Sequence, residues 1–160
     1  VNTNICKNIM NNFFKIIDDV QSTLIAEPFI NKVTYGGIDD VDLKKITIFP
    51  LAHMIIESMD IQTRRIGINV SILLMDIIDF SKNTVSDDIR GNNNELDVLN
   101  NMLNIAARLQ AMIARTDSLN KDYELEGSFS AEPFVERFEN NLGGISIDFT
   151  INMKNDMTKC

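Results

Sequence analysis

The sequence predicts an α+β fold: an antiparallel sheet of about four to five strands with two helices packed on one face. Three observations predict it. From Tyr123 to Met153 the chain runs as two alternating arms around a connector, Pro133 to Gly144. Between Arg65 and Ile78 lies a third alternating stretch, longer than either arm. Flanking that stretch are two segments whose apolar residues recur every three or four positions. A strand turns successive side chains to opposite faces, whereas a helix brings positions three and four apart onto one. At 160 residues the chain suits one domain with a real core, so residues 1–160 are read as a single domain.

The first helix is read from Ile9, Phe13, Ile16, Ile17, Val20 and Leu24, with Lys7, Asn11, Asn12, Lys15, Asp18 and Asp19 between them. Thr3 or Asn4 can cap its start, and Pro28 requires that it has already ended. Gly36-Gly37 and the acids Asp39, Asp40 and Asp42 then mark turn chemistry, with short strands on either side. Pro50 suits the start of a strand, which is placed from Leu51 to about Met59. After a turn at residues 60–64, Ile66, Ile68, Val70, Ile72 and Leu74 line one face of the next strand. Its other face begins with Gly67, Asn69 and Ser71 and becomes apolar at Leu73 and Met75, as a central strand covered on both sides would.

Residues 79–94 form a long polar loop, and loops of this length inside a compact domain tend to carry function. A second helix follows from Glu95 to Arg115, with Leu96, Leu99, Leu103, Ala106, Leu109 and Ile113 as its expected buried stripe. Asn94 or Asn93 caps it, while Glu95 and Asp97 suit its positive end and Arg115 the negative one.

In the first arm Tyr123, Leu125, Gly127, Phe129 and Ala131 alternate with Glu124, Glu126, Ser128, Ser130 and Glu132. In the second, Ile145, Ile147, Phe149, Ile151 and Met153 alternate with Ser146, Asp148, Thr150, Asn152 and Lys154. Each arm thus has an apolar face for a core and a polar face for water. The connector is too long for a tight hairpin. Phe134, Phe138 and Leu142 are four apart and suit a short helical turn; equally, both strands can simply run on past the sheet body.

The net charge of −8, from 23 acidic and 15 basic residues, argues against a sequence-reading nucleic-acid binder, which needs a basic footprint. It is compatible with a surface that nucleic acid passes without sticking. No apolar run reaches the roughly 20 residues needed to cross a bilayer, and the start, Val1 to Lys7, lacks the order of a signal peptide. A cytoplasmic origin without membrane attachment is therefore expected. Cys6 and Cys160 stand at opposite ends with no metal-binding spacing. The richness in Ile and Asn suggests AT-rich coding.

The chemistry-bearing residues are few. His53, alone of its type, sits in an apolar strand and reads as a satisfied core histidine. One histidine and two distant cysteines do not make a metal site. Asp39, Asp40 and Asp42 lack the spacing and the closing glutamate of a calcium loop. Gly143-Gly144 lies between strands instead of opening a helix, so it is not a phosphate loop. Asp76 and Asp79, at the end of the central strand, are the candidates for a small carboxylate-dependent enzyme binding magnesium, the weakest of the readings. The expectation is an assembly part with no cofactor and no catalytic residue.

Three local patterns carry a resemblance. Phe49-Pro50-Leu51 enters a strand; the central strand ends in Met75-Asp76 before a polar Asn-containing loop and a helix; and Pro133 to Phe138 with Leu142-Gly143-Gly144 precedes an alternating final strand. With this order of elements the chain resembles the tail terminator and tail-completion (neck) proteins of tailed bacteriophages across most of its length. It departs from them at Ile145, where an aromatic residue is expected. The resemblance implies a structural virion protein, assembled in the host cytoplasm, that forms a homo-oligomeric, hexameric ring at the head–tail junction. Its partners would be the tail tube and the neck or connector proteins, with DNA only in transit. A head-side adaptor or a tail tube protein is the alternative. Asn83, Asp87, Arg90, Phe134, Glu136, Arg137, Phe138 and Asn141 are the candidates for subunit or partner interfaces, and Glu124, Glu126, Glu132 and Asp148 for acids facing a lumen.

Overall fold

The structure, a computed structural model, describes residues 12–40, 48–79, 87–91, 93–115, 123–137 and 141–155. Its elements run α1 (Asn12–Ile25), β1 (Lys32–Tyr35), β2 (Leu51–Ile61), β3 (Arg65–Ile77), α2 (Glu95–Arg115), β4 (Tyr123–Arg137) and β5 (Leu142–Lys154). The strands form one sheet in the order β1-β2-β3-β5-β4, which places β3 at the centre as its two-sided pattern predicts. The expected α+β class and strand number hold.

Three of the four strand pairings are antiparallel, but β1 pairs with β2 in parallel, Lys32 opposite Leu51 and Tyr35 opposite Met54. The sheet is therefore mixed, where a wholly antiparallel one was expected. Residues 36–50 are the reason. A parallel neighbour needs a crossover of a dozen residues or more to return the chain to the same end, and that segment is long enough.

Both helices lie on one face. Ile16, Val20 and Leu24 of α1 pack in one core with Val98, Met102, Ile105, Leu109 and Ile113 of α2. The sheet contributes Met54, Ile68, Val70, Ile72, Leu74, Ile147, Phe149 and Ile151 to the same core. Each fully buried Leu or Ile is worth roughly 1.5–3 kcal/mol, so this inner face holds most of the fold's hydrophobic stabilisation. Glu27, just beyond α1, is tied to Arg108 of α2 by a bidentate ion pair, and Tyr123 Oη donates to Asp19 Oδ2 at 2.6 Å.

The stripe expected for α2 is rotated. Val98, Met102 and Ile105 are buried, whereas Leu96 and Leu103 are 43% and 53% exposed; Ala106, Leu109 and Ile113 are buried as expected. Two apolar stripes overlap on this helix, each at helical spacing. Only docking on the sheet chooses between them.

The cap divides the work of the two asparagines. Asn93 Oδ1 accepts from Glu95 N at 3.2 Å, while Asn94 O accepts the first helical bond, from Val98 N. The Asn94 side chain turns to β3 instead: its Oδ1 accepts from Asp79 N and its Nδ2 donates to Ile77 O. The caps expected at Thr3 or Asn4 lie outside the described residues.

Among the described residues, the connector is strand up to Arg137 and again from Leu142. β4 runs to Arg137 and β5 starts at Leu142, with Arg137 opposite Leu142. Asn141, at φ 52°, makes the turn before β5. A helical turn through Phe134, Phe138 and Leu142 is thereby overturned at Phe134 and Leu142; Phe138 lies outside the described residues. Both side chains point to the outer face, where they pack with Leu51, Leu73 and Met75. At Gly144 the two neighbouring strands approach so closely that a Cβ would run into Leu74 O and Met75 Cα.

The first arm keeps its expected faces, Leu125 and Phe129 toward the inner core, across a break in its pairing. Between Glu126, opposite Thr150, and Ser130, opposite Asp148, three residues face Phe149 alone. Gly127 takes φ 70°, which a glycine adopts at little cost. This bulge sets the Phe129 ring over Phe149, stacked at 4.3 Å between centroids.

Candidate functional site

The outer face of the sheet divides in two. Toward the end of β3 it is apolar and buried at Leu51, Leu73, Met75, Phe134 and Leu142. Toward the start of β3 it is polar and open. There the side chains of Glu57, Ser58, Asn69, Glu126, Asp148 and Thr150 border a groove of about 390 Å³.

Register explains why these residues meet. Ser58 faces Asn69, Asn69 faces Thr150, and Thr150 faces Glu126, so four adjacent strands present polar side chains at one level. Thr150 Oγ1 donates to Asn69 Oδ1 at 2.6 Å, and Asn69 Nδ2 donates to Ser58 Oγ at 2.6 Å. One row beyond, Asn152 Nδ2 donates to Glu126 Oε2 at 2.9 Å. A bulge between Ile56 and Ser58 places the exposed Glu57 at the groove's β2 side.

The groove is rich in acceptors and carries negative charge. Glu57, Glu126 and Asp148 are all exposed. Among the described residues no group of three acids, histidines or cysteines converges closely enough to hold a metal ion. Asn152 is 7% exposed, and its Oδ1 is buried with no hydrogen-bond donor. That oxygen sits against Gly67, 3.2 Å from the point a Cβ would occupy there. A buried acceptor left unpaired is costly, which makes Asn152 an unusual residue to find beside the groove.

The four acids expected to share a face do so. Glu124 faces Asn152, Glu126 faces Thr150, Glu132 faces Ser146, and Asp148 faces Ser130, all on the outer side and all exposed. The interface candidates are scattered. Phe134 is 8% exposed and belongs to the outer core cluster, because its position in β4 turns it toward Leu73 and Met75. Glu136 and Arg137 lie at the end of β4, and Asn141 is an exposed turn residue whose carbonyl accepts from Ile78 N. Asn83 and Phe138 lie outside the described residues.

Asp87 and Arg90 belong to one exposed turn. Asp87 Oδ1 accepts from Ile89 N at 3.0 Å and from Arg90 N at 3.4 Å, and Asp87 O accepts from Gly91 N. These bonds present Ile89, 84% exposed, and the Arg90 side chain, 75% exposed, outward together.

Two more of the chemistry-bearing residues, His53 and Asp76, are held by bonds within the fold. His53 is 1% exposed. Gly37 O lies 3.0 Å from its Nε2 and can only accept, so Nε2 carries a proton; the Thr34 hydroxyl is hydrogen-bonded to Nδ1 at 2.8 Å. The histidine pins the segment after β1 onto β2. Asp76 lies at the end of β3, where burial pushes its carboxyl above the usual range, partly offset by the bond it accepts from Ile77 N.

Sequence reasoning found the acids of β4 and β5 but missed Glu57, Ser58 and Asn69 as members of one site. The polar positions of β3 were visible; the bulge at Glu57 and the place of β5 between β3 and β4 were not. No family model matches the chain, and no curated protein matches it. Among the described residues, no helix is long and apolar enough to cross a membrane.

Proposed function

We propose that the chain is a structural virion protein of a tailed phage, a ring subunit at the head–tail junction that caps the tail tube and joins it to the neck. The observation that carries this reading is the open border of the sheet. β1 covers β2 only from Leu51 to Met54, so among the described strands β2 has no outer neighbour from Ile55 to Ile61. On the other side β4 runs Tyr123–Arg137 as the second edge. An uncovered edge offers backbone donors and acceptors to another chain. Met59 and Ile61 are 50% and 73% exposed at the β2 edge, which adds apolar surface for such a contact. Two unlike edges on one subunit suit a head-to-tail contact, and head-to-tail contacts close into rings when the rotation permits.

The outer-face acids support a passage for DNA. A carboxylate-lined wall repels phosphate, so a duplex can slide without being held. Function here is shape and charge; no bond is made or broken.

Native mass spectrometry and electron microscopy of the purified chain test the reading, with purified tail tubes and necks added. Closed rings that cap tubes are expected. A stable monomer that joins neither tubes nor necks sinks the proposal. Long filaments formed by the chain alone assign it instead to the tube.

A further inference from the structure

We infer that the β2–β3 hairpin end of one copy docks on the Asp87–Asp97 corner of a second copy of this chain. The inference rests on the ring-subunit reading and names the contact through which copies would meet.

The hairpin end is basic and apolar at once. Arg64 and Arg65 are exposed, and the exposed Lys154 stands opposite Arg65 on β5. The row behind them, Asp60–Gly67–Asn152–Glu124, carries two acids, of which Asp60 already accepts from Gln62 Nε2. Met59 and Ile61, opposite Ile68 and Ile66, are 50% and 73% exposed. Three gathered cations beside two uncovered apolar side chains stand out on a chain of net charge −8. The end is also shaped before any contact. Gln62 N donates to Arg65 O, Arg65 Nε donates to Gln62 Oε1, and Asn155 donates to Arg64 O through N and to Gln62 O through Nδ2. A preformed surface loses less entropy on docking.

The opposite end of β3 supplies the complement. Asp79, Asp87, Asp88 and Asp97 are exposed there, and Arg90 is the single cation among the described residues of 76–79 and 87–97. Ile77, Ile89 and Leu96 are 46%, 84% and 43% exposed at the same corner. Asn94 makes it one surface, because its side chain ties the start of α2 to Ile77 O and Asp79 N. Gly91 is three residues from Asn94, within about 10 Å of chain, so the Asp87–Gly91 turn stays beside it. Apolar side chains on both corners gain by being covered, and the opposite charges around them align the two surfaces.

Their placement requires a second copy. Ile66 and Ile77 mark the two corners on β3 and lie about 36 Å apart at the usual strand rise, so one chain cannot bring its own corners together. Like charge disfavours hairpin against hairpin and acidic corner against acidic corner. What remains is the unlike pairing, basic end to acidic end, which is the head-to-tail contact a ring needs.

Charge reversal in the full chain tests this, read by native mass spectrometry and sedimentation, with thermal melts confirming that each variant folds. Arg64→Glu and Asp88→Lys should each weaken self-association about tenfold or more. The double variant R64E/D88K restores the complementarity and should return to within about threefold of the wild type. Both residues are exposed, so neither change removes core packing. Single variants that assemble like the wild type, or a double variant no better than its parents, overturn the corner contact and leave the ring reading standing. Charge-swappable assembly into open filaments keeps the contact and overturns the ring. A wild-type chain that stays monomeric at every concentration overturns both.

Discussion

Arg108 of α2 grips Glu27 with two nitrogens: Nε donates to Oε1 at 2.8 Å, and Nη2 donates to Oε2 at 2.6 Å. The pair joins positions 81 residues apart and fastens the chain just after α1 to the second helix. The Glu27 carboxylate holds the guanidinium even more firmly charged than usual, chiefly through these hydrogen bonds. Glu27 is 11% exposed at its side chain and Arg108 47%, so solvent screens the pair only in part. A double-mutant cycle through Arg108→Ala and Glu27→Ala should give a coupling of about 1 kcal/mol, with R108A alone lowering Tm by about 3 °C. The coupling should shrink in high salt. Zero coupling at low salt would show that the helices are held by apolar packing alone.

Asp76 makes stability depend on pH in the direction opposite to most carboxylates. Burial raises its folded pKa, so between the unfolded and folded values the native state binds more protons than the unfolded one. Its contribution to stability is therefore lost as pH rises from about 4 upward, and the penalty is complete above the folded pKa. Asp76→Asn should raise Tm at neutral pH, and the gain should vanish as pH falls to about 4. Chemical denaturation across that range checks the sign. A variant equally stabilised at every pH would show that charge is not the cause.

Gly144 and Gly37 form a controlled pair. A Cβ at Gly144 meets the backbone of β3, whereas nothing lies within 4 Å of one at Gly37. Gly144→Ala should cost about 3 kcal/mol or prevent folding, because neither contact atom can rotate away. Gly37→Ala should leave stability within about 0.5 kcal/mol of the wild type. Urea titrations of the two variants make the comparison.

The rotated stripe of α2 separates core from surface within a single turn of helix. Met102 is 1% exposed and Leu103 53%. Met102→Ala should cost about 2–5 kcal/mol, while Leu103→Ala should cost under about 0.5 kcal/mol. Similar losses for M102A and L103A would contradict the helix orientation.

Periodicity alone made the two helices, the central strand and the two arms legible, because side-chain direction follows from the local backbone. It also made the four outer acids legible: Glu124, Glu126 and Glu132 occupy alternate positions of one strand, and Asp148 lies on the polar face of the next. Periodicity could not place Phe134. At that point the sequence allows both a helical turn and an extended strand, and only packing against Leu73 and Met75 decides for the strand. The same holds for α2, whose overlapping stripes are equally regular until the sheet covers one of them.

The groove belongs to the tertiary structure. Glu57, Asn69, Thr150 and Glu126 come from four strands whose spatial order differs from their chain order, and a bulge in β2 sets where Glu57 falls. Nor does the local sequence show that β1 runs parallel to β2, since that depends on where residues 36–50 return the chain. The sequence by itself determined the elements and the polarity of each face, both consequences of local geometry and composition. Strand order, register and helix rotation were decided by the fold, because they depend on which buried surfaces fit together across long separations in the chain.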